Sequence, residues 1–211
     1  MIILQGGGGE DFCSGADIAE FDTVRNDAVT ARAYETINSQ AFRAVREAPV
    51  PMLALIRGIC FGGGFGLAAA CDLRLGDSTA RFAVPAARLG LAYPVDAVPD
   101  LVASLGAQRA RHLLMTAQEI DADTALAAGF LMELHAPDAL EHAVTAIAGQ
   151  IAIASPLSVR ASRMAISAAL QGDGGQAAQA SMLGDSTFES ADYAEGRAAF
   201  RERRQPVFTG K

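Results

Sequence analysis

Residues 58–76 read GICFGGGFGLAAACDLRLG, with four glycines (Gly62, Gly63, Gly64 and Gly66) inside five positions. The preceding PMLALIRG is an apolar run with breakers on both sides, which reads as a strand. The following LAAACDL is helical in composition. Strand, glycine turn and helix N-terminus in this order confine the chain to an α/β unit where something approaches the backbone closely. The first N–H groups of such a helix lack internal partners and sit at the positive end of its dipole. Three readings stay open for the cluster: tight packing of helix on strand, a phosphate site, or half of an oxyanion hole.

The phosphate reading lacks support. There is no GxxxxGK[ST]. Gly64-Phe65-Gly66-Leu67-Ala68-Ala69 fits GxGxxA, the looser dinucleotide pattern, but the acid expected about twenty residues on is missing. That region is Ala83–Ala87, which argues against a Rossmann-type dehydrogenase. An oxyanion hole needs a second N–H from a separate loop. Phe12-Cys13-Ser14-Gly15-Ala16-Asp17 supplies one. It follows the short apolar run Met1–Leu4, which reads as a strand, and opens onto a helix near Asp17.

The rest of the chain agrees with an α/β core. Residues 29–47 carry no Pro or Gly and read as a helix ending before Pro49. RLGDSTARFAV gives two extended runs around a turn, and helices are expected at Pro99–Met115 and Asp123–Ala128, the second capped by Asp121 or Asp123. FLMEL reads as a further strand. From Pro137 the pattern is helical: Leu140, Val144, Ile147 and Ile151 share one face. Ser155-Pro156 opens another helix, QGDGGQ is a break, and two more helical stretches follow. The expected division is therefore 1–136 for the core and 137–211 for a helical module.

Of 211 residues, 51% are hydrophobic and 19% charged, which suits a folded chain. The formal charge of −7 disfavours general affinity for nucleic acid or anionic lipid. No apolar run is long enough to span a bilayer and no basic leader opens the chain, so the cytoplasm is the expected location. Cys13, Cys60 and Cys71 lack metal-site spacing and read as reduced thiols; no metal is expected.

FCSGADIAEF, followed by PMLALIRGICFGGGFGLAAACDLRL, resembles the enoyl-CoA hydratase/isomerase (crotonase) superfamily. RLGLAYP, TAQEIDADTALAAGFLMEL and SADYAEGRAAFRERRQPVF continue the likeness in the family's order over nearly the whole chain. The resemblance implies a crotonase-like ββα spiral core with a C-terminal helical trimerisation module, assembled as a homotrimer or hexamer. It implies an acyl-CoA thioester as substrate, with no permanently bound cofactor. By position, the oxyanion-hole donors are the N–H groups of Ala16 and Gly63, beside Gly62. The stretch Ser14, Gly15, Ala16, Asp17 and Ile18 lies along the CoA, and Arg203 of the last helix meets a phosphate. Asp17 and Asp72 also read as structural acids, capping or pairing locally. The family's opening strands and helix would precede Met1.

The pattern breaks at the proton-transfer positions. Hydratases of this family carry one glutamate where Gly66 stands and a second after FxxP, where Ala86 stands. Related synthases place an aspartate at the position of Pro94. Hydration by two glutamates is thus not expected, and decarboxylase-, isomerase- or hydrolase-type chemistry is. The spacing of FAVPAARLGLAYPVDAVPDLVASLG is similar to the methylmalonyl-CoA decarboxylase branch, with a tyrosine at Tyr93. Tyr93 could orient a carboxylate or protonate an enolate, or be a half-buried aromatic pinned by its hydroxyl. Asp96 is a further candidate base. A non-catalytic acyl-CoA-binding protein of the same fold is the alternative.

Overall fold

The computed structural model describes residues 1–172 and 174–211. The chain forms two units: Ile2–Ala48 with Met52–Ala143, and Val144–Lys211 with Met1 and Pro49–Pro51.

In chain order the first unit contains β1 (Ile2–Leu4), α1 (Phe21–Val24), α2 (Ala28–Arg46), β2 (Met52–Ile56), β3 (Ile59–Phe61) and α3 (Gly63–Ala70). After these come β4 (Leu73–Asp77), β5 (Arg81–Ala83), α4 (Val98–Thr116), β6 (Ile120–Asp121), α5 (Ala122–Ala127) and β7 (Glu133–His135). One sheet is parallel, in the order β1-β2-β4-β7; the other runs β3-β5-β6, with β5 and β6 antiparallel. All five residues of β2 are buried, which is why MLALI is apolar without alternation. Its register against β4 pairs Leu53 with Leu73 and Leu55 with Leu75.

Local chemistry sets the helix ends. Asp27 caps α2 by accepting from the N–H groups of Val29 and Thr30, and Thr30 returns the bond in a capping box. Asp121 caps α5 through Thr124 N–H. Helix α3 is almost wholly buried, Phe65, Ala68, Ala69 and Ala70 included, so its apolar composition reflects a central position. Its Phe65 packs with Phe82 and Phe130, the three ring centroids 4.7–5.5 Å apart.

One expected strand moves. FLMEL does not begin β7, which starts at Glu133. Gly129 turns the chain with φ +81, and the N–H groups of Phe130 and Leu131 both reach back to the Ala125 carbonyl. Phe130 and Leu131 are apolar because they fill the core from this turn.

Helix α6 (Leu140–Ala152) carries the chain into the second unit, which adds α7 (Pro156–Gln171), α8 (Gly174–Ser186) and α9 (Ala191–Glu202). Of the expected break QGDGGQ, Asp173 lies outside the described residues; Gly172 ends α7 with φ +65 and Gly174 already begins α8. Within this unit the buried carboxylate of Asp192 accepts from Thr209 N–H at 2.7 Å, Gly210 N–H at 3.1 Å and Ser155 Oγ at 2.9 Å, tying down the tail. Among the described residues no single helix is long and apolar enough to cross a membrane.

Candidate active site

Two turns meet because Cys13 forms a parallel bridge to Cys60 of β3. Cys13 N–H donates to the Ile59 carbonyl and Phe61 N–H donates to the Cys13 carbonyl, both at 2.9 Å. The chain segments leaving Cys13 and Phe61 therefore emerge side by side. Each then needs a glycine: Gly15 has φ +104 and Gly62 has φ +52, where an L side chain is strained. A Cβ on Gly15 would lie 3.3 Å from the Phe61 carbonyl oxygen and 3.8 Å from Gly63 N. Gly64 is required for a different reason: its Cβ would fall 2.6 Å from the Cys13 Cβ.

The two expected donors are thus neighbours. Gly62 N–H is used by the Ala83 carbonyl at 2.9 Å. Gly63 opens α3, and among the described residues neither its N–H nor that of Ala16 has a hydrogen-bond partner. Ala16 and Gly63 both line a cavity of about 230 Å³, together with Ser14, Gly15, Ile18 and Gly62. Two unspent backbone donors at one cavity can grip one oxygen that gains negative charge.

Tyr93 also lines this cavity. Its hydroxyl donates to the Gly62 carbonyl at 3.0 Å, on the other side of the peptide whose N–H belongs to Gly63. Burial pushes the phenol well above its ordinary value, helped by Cys60, Asp100, Asp96 and Glu35 nearby. The hydroxyl therefore stays protonated and directed at the carbonyl. Gly66 makes room for it: a Cβ there would lie 2.6 Å from Tyr93 Oη and 2.8 Å from Phe42 Cε1. Ala86 and Pro94 line the cavity and bring no titratable group.

Other expected residues fall elsewhere. Asp17 does not line the cavity; its carboxylate accepts from Ala19 N–H at 2.9 Å as the cap of a 3-10 turn. Asp72 accepts from Met52 N–H at 2.7 Å and joins β4 to β2. Asp96 does not line the cavity either and accepts from Ser39 Oγ at 2.9 Å. Arg203 belongs to the second unit and ends α9 with φ +54. Cys60 is fully buried, which pushes its thiol up and makes it inert.

Sequence reasoning missed one wall. Tyr34, Glu35, Asn38, Ala41 and Phe42 of α2 line the cavity, and Glu35 is ion-paired with Arg25. The helical spacing i, i+4, i+7, i+8 from Tyr34 puts four of them on one face, which was a readable signal. What that face looks onto was not readable.

The comparisons agree with this architecture. The family model for enoyl-CoA hydratase/isomerase matches residues 1–211. Crotonyl-CoA hydratase of Syntrophomonas wolfei is 33% identical over 213 residues, spanning 100% of this chain and 81% of that protein. Methylmalonyl-CoA decarboxylase of Escherichia coli is 26% identical, over 100% of this chain and 80% of its own. The crystal structure of an enoyl-CoA hydratase/isomerase family protein from Hyphomonas neptunium superposes with a TM-score of 0.93 at 33% identity, covering 99% and 80% of the two chains. The fold is α/β and crotonase-like. The chain belongs to the enoyl-CoA hydratase/isomerase family and is an enzyme of that family.

Proposed function

We propose that the protein binds an acyl-CoA thioester with its carbonyl oxygen between the N–H groups of Ala16 and Gly63. The reaction then passes through an oxyanion at that position, the thioester enolate in decarboxylation or isomerisation and the tetrahedral adduct in hydrolysis. The observation that carries this reading is the pair of partnerless N–H groups on adjacent turns at one cavity. Each such donor lowers the barrier by about 3–4 kcal/mol where oxyanion donors have been removed by mutation.

The reaction is decarboxylation, isomerisation or hydrolysis rather than two-glutamate hydration. Gly66 and Ala86 carry no proton, and the room a side chain would need at position 66 is taken by Phe42 and Tyr93. Tyr93 acts as a positioning residue: its proton is committed to Gly62 and holds the Gly62–Gly63 peptide in place. CoA enters as part of the substrate and no resident cofactor is needed. The C-terminal helices assemble the chain into a homotrimer or hexamer, read out by light scattering, and the enzyme works in the cytoplasm.

The test is a mass-spectrometric screen of malonyl-type, enoyl and simple acyl-CoA thioesters, alongside calorimetric binding. Turnover of one class together with binding supports the reading. Binding without turnover across the panel supports the non-catalytic alternative, and absence of binding overturns both.

A further inference from the structure

The cavity is lined by one carboxylate and one guanidinium among its described residues, and the two are paired: Glu35 of α2 with Arg25, which caps the end of α1. The Arg25 side chain is 9% exposed. Its guanidinium lies 4.6 Å from the Phe21 ring centroid and 4.5 Å from that of Tyr34, so it is fixed by two rings and one carboxylate oxygen. Arg25 engages Glu35 Oε1. Glu35 Oε2 is buried and has no hydrogen-bond partner among the described residues. Leaving such a group unsatisfied forfeits its hydration without replacement, and in a native site it calls for an explanation.

Competing groups are already committed. The Tyr93 proton goes to Gly62, Asp96 accepts from Ser39 outside the cavity, and positions 66 and 86 carry no titratable group. Resting on the acyl-thioester reading above, we infer that Glu35 is the catalytic carboxylate that exchanges a proton with the thioester α-carbon. The Cα–H bond breaks and its proton passes to Oε2. The electron pair enters the Cα–C bond while the carbonyl π pair moves to oxygen, giving the enolate held by Ala16 and Gly63. Returning the proton restores the thioester, so no other reactant is consumed. Arg25 holds the carboxylate through Oε1 and leaves Oε2 as the reacting atom.

The experiment follows α-deuteration of butyryl-CoA in D2O by mass spectrometry for the wild type, Glu35→Gln and Glu35→Asp, with calorimetric binding of butyryl-CoA and a thermal melt for each. The wild type should exchange its α-protons. Glu35→Gln should melt cooperatively, bind within about threefold of wild type and lose exchange by about 100-fold or more, and Glu35→Asp should recover part of it. Exchange in Glu35→Gln within about threefold of wild type overturns the assignment. So does a wild type that binds butyryl-CoA without exchanging it, and there the acyl-CoA reading survives. A wild type that binds no acyl-CoA thioester overturns that reading and this assignment together.

Discussion

The Tyr93 hydroxyl donates to the Gly62 carbonyl at 3.0 Å, passing through the space a side chain on Gly66 would fill. The bare glycine at position 66 and the placement of the phenol are therefore one feature. The lack of a side chain at position 66 admits the hydroxyl, and the hydroxyl braces the peptide that carries Gly63 N–H.

Tyr93→Phe keeps the ring packing and deletes this bond. Stability should fall by about 1 kcal/mol in urea unfolding, the usual net worth of one buried hydrogen bond. The Gly62 carbonyl keeps Gly66 N–H as a donor at 3.1 Å, so the helix should survive. Acyl-CoA binding should persist while turnover drops. Unchanged turnover would remove Tyr93 from the catalytic account.

Gly66→Ala tests the same contact from the other side. An alanine inside a helix ordinarily gains up to about 1 kcal/mol over glycine. Here its Cβ would fall 2.6–2.9 Å from Tyr93 Oη and the Phe42 ring, and overpacking of this kind costs about 1–3 kcal/mol. The variant should be less stable than wild type, and Phe42→Leu in the same chain should recover part of the loss. Denaturant midpoints decide the sign.

Thiol chemistry reports on cavity occupancy. Cys60 and Cys71 are 0% and 4% exposed, whereas Cys13 is half-buried and lines the cavity. Iodoacetamide should modify Cys13 well before the other two, and saturating butyryl-CoA should slow that modification. Peptide mass spectrometry reads both; equal labelling of all three would contradict the burial pattern.

The C-terminal unit carries an acid-sensitive tie. Arg204 donates to both carboxylate oxygens of Glu195, and Val207 N–H adds a third bond at 2.8 Å. The Arg204 guanidinium, then the Val207 N–H, hold Glu195 down at about 2, against 4.5 ordinarily. A carboxyl lowered in the folded state contributes stability above its unfolded value, and that contribution is lost as pH falls through the folded one. Thermal midpoints should therefore decline between pH 4.5 and 2 partly through this group, and Glu195→Gln should flatten that share of the decline.

Backbone-driven features were legible in the sequence. The turns at Gly15 and Gly62 are local necessities of positive φ, the strand Met52–Ile56 follows from apolar continuity between breakers, and the helix Ala28–Arg46 from a stretch free of Pro and Gly. The family resemblance pointed to Ala16 and Gly63, and the fold brings them together. Two things were not legible. FLMEL looked like strand because core-filling residues in a turn are as apolar as strand residues. Glu35 drew no assignment from the sequence, since helical spacing tells which residues share a side and not what that side meets. The Arg25–Glu35 pair spans ten positions and two helices, a juxtaposition that only tertiary structure creates.

The brace on Gly62 comes from Tyr93, while Tyr34, Glu35 and Asn38 reach the cavity from α2. On the proposed reading, oxygen recognition by Ala16 and Gly63 and proton exchange by Glu35 are carried by separate segments of the chain. On that reading, substitutions at Tyr34 and Asn38, with Glu35 and Phe42 kept, should change which acyl groups are accepted without disturbing the grip on the thioester oxygen.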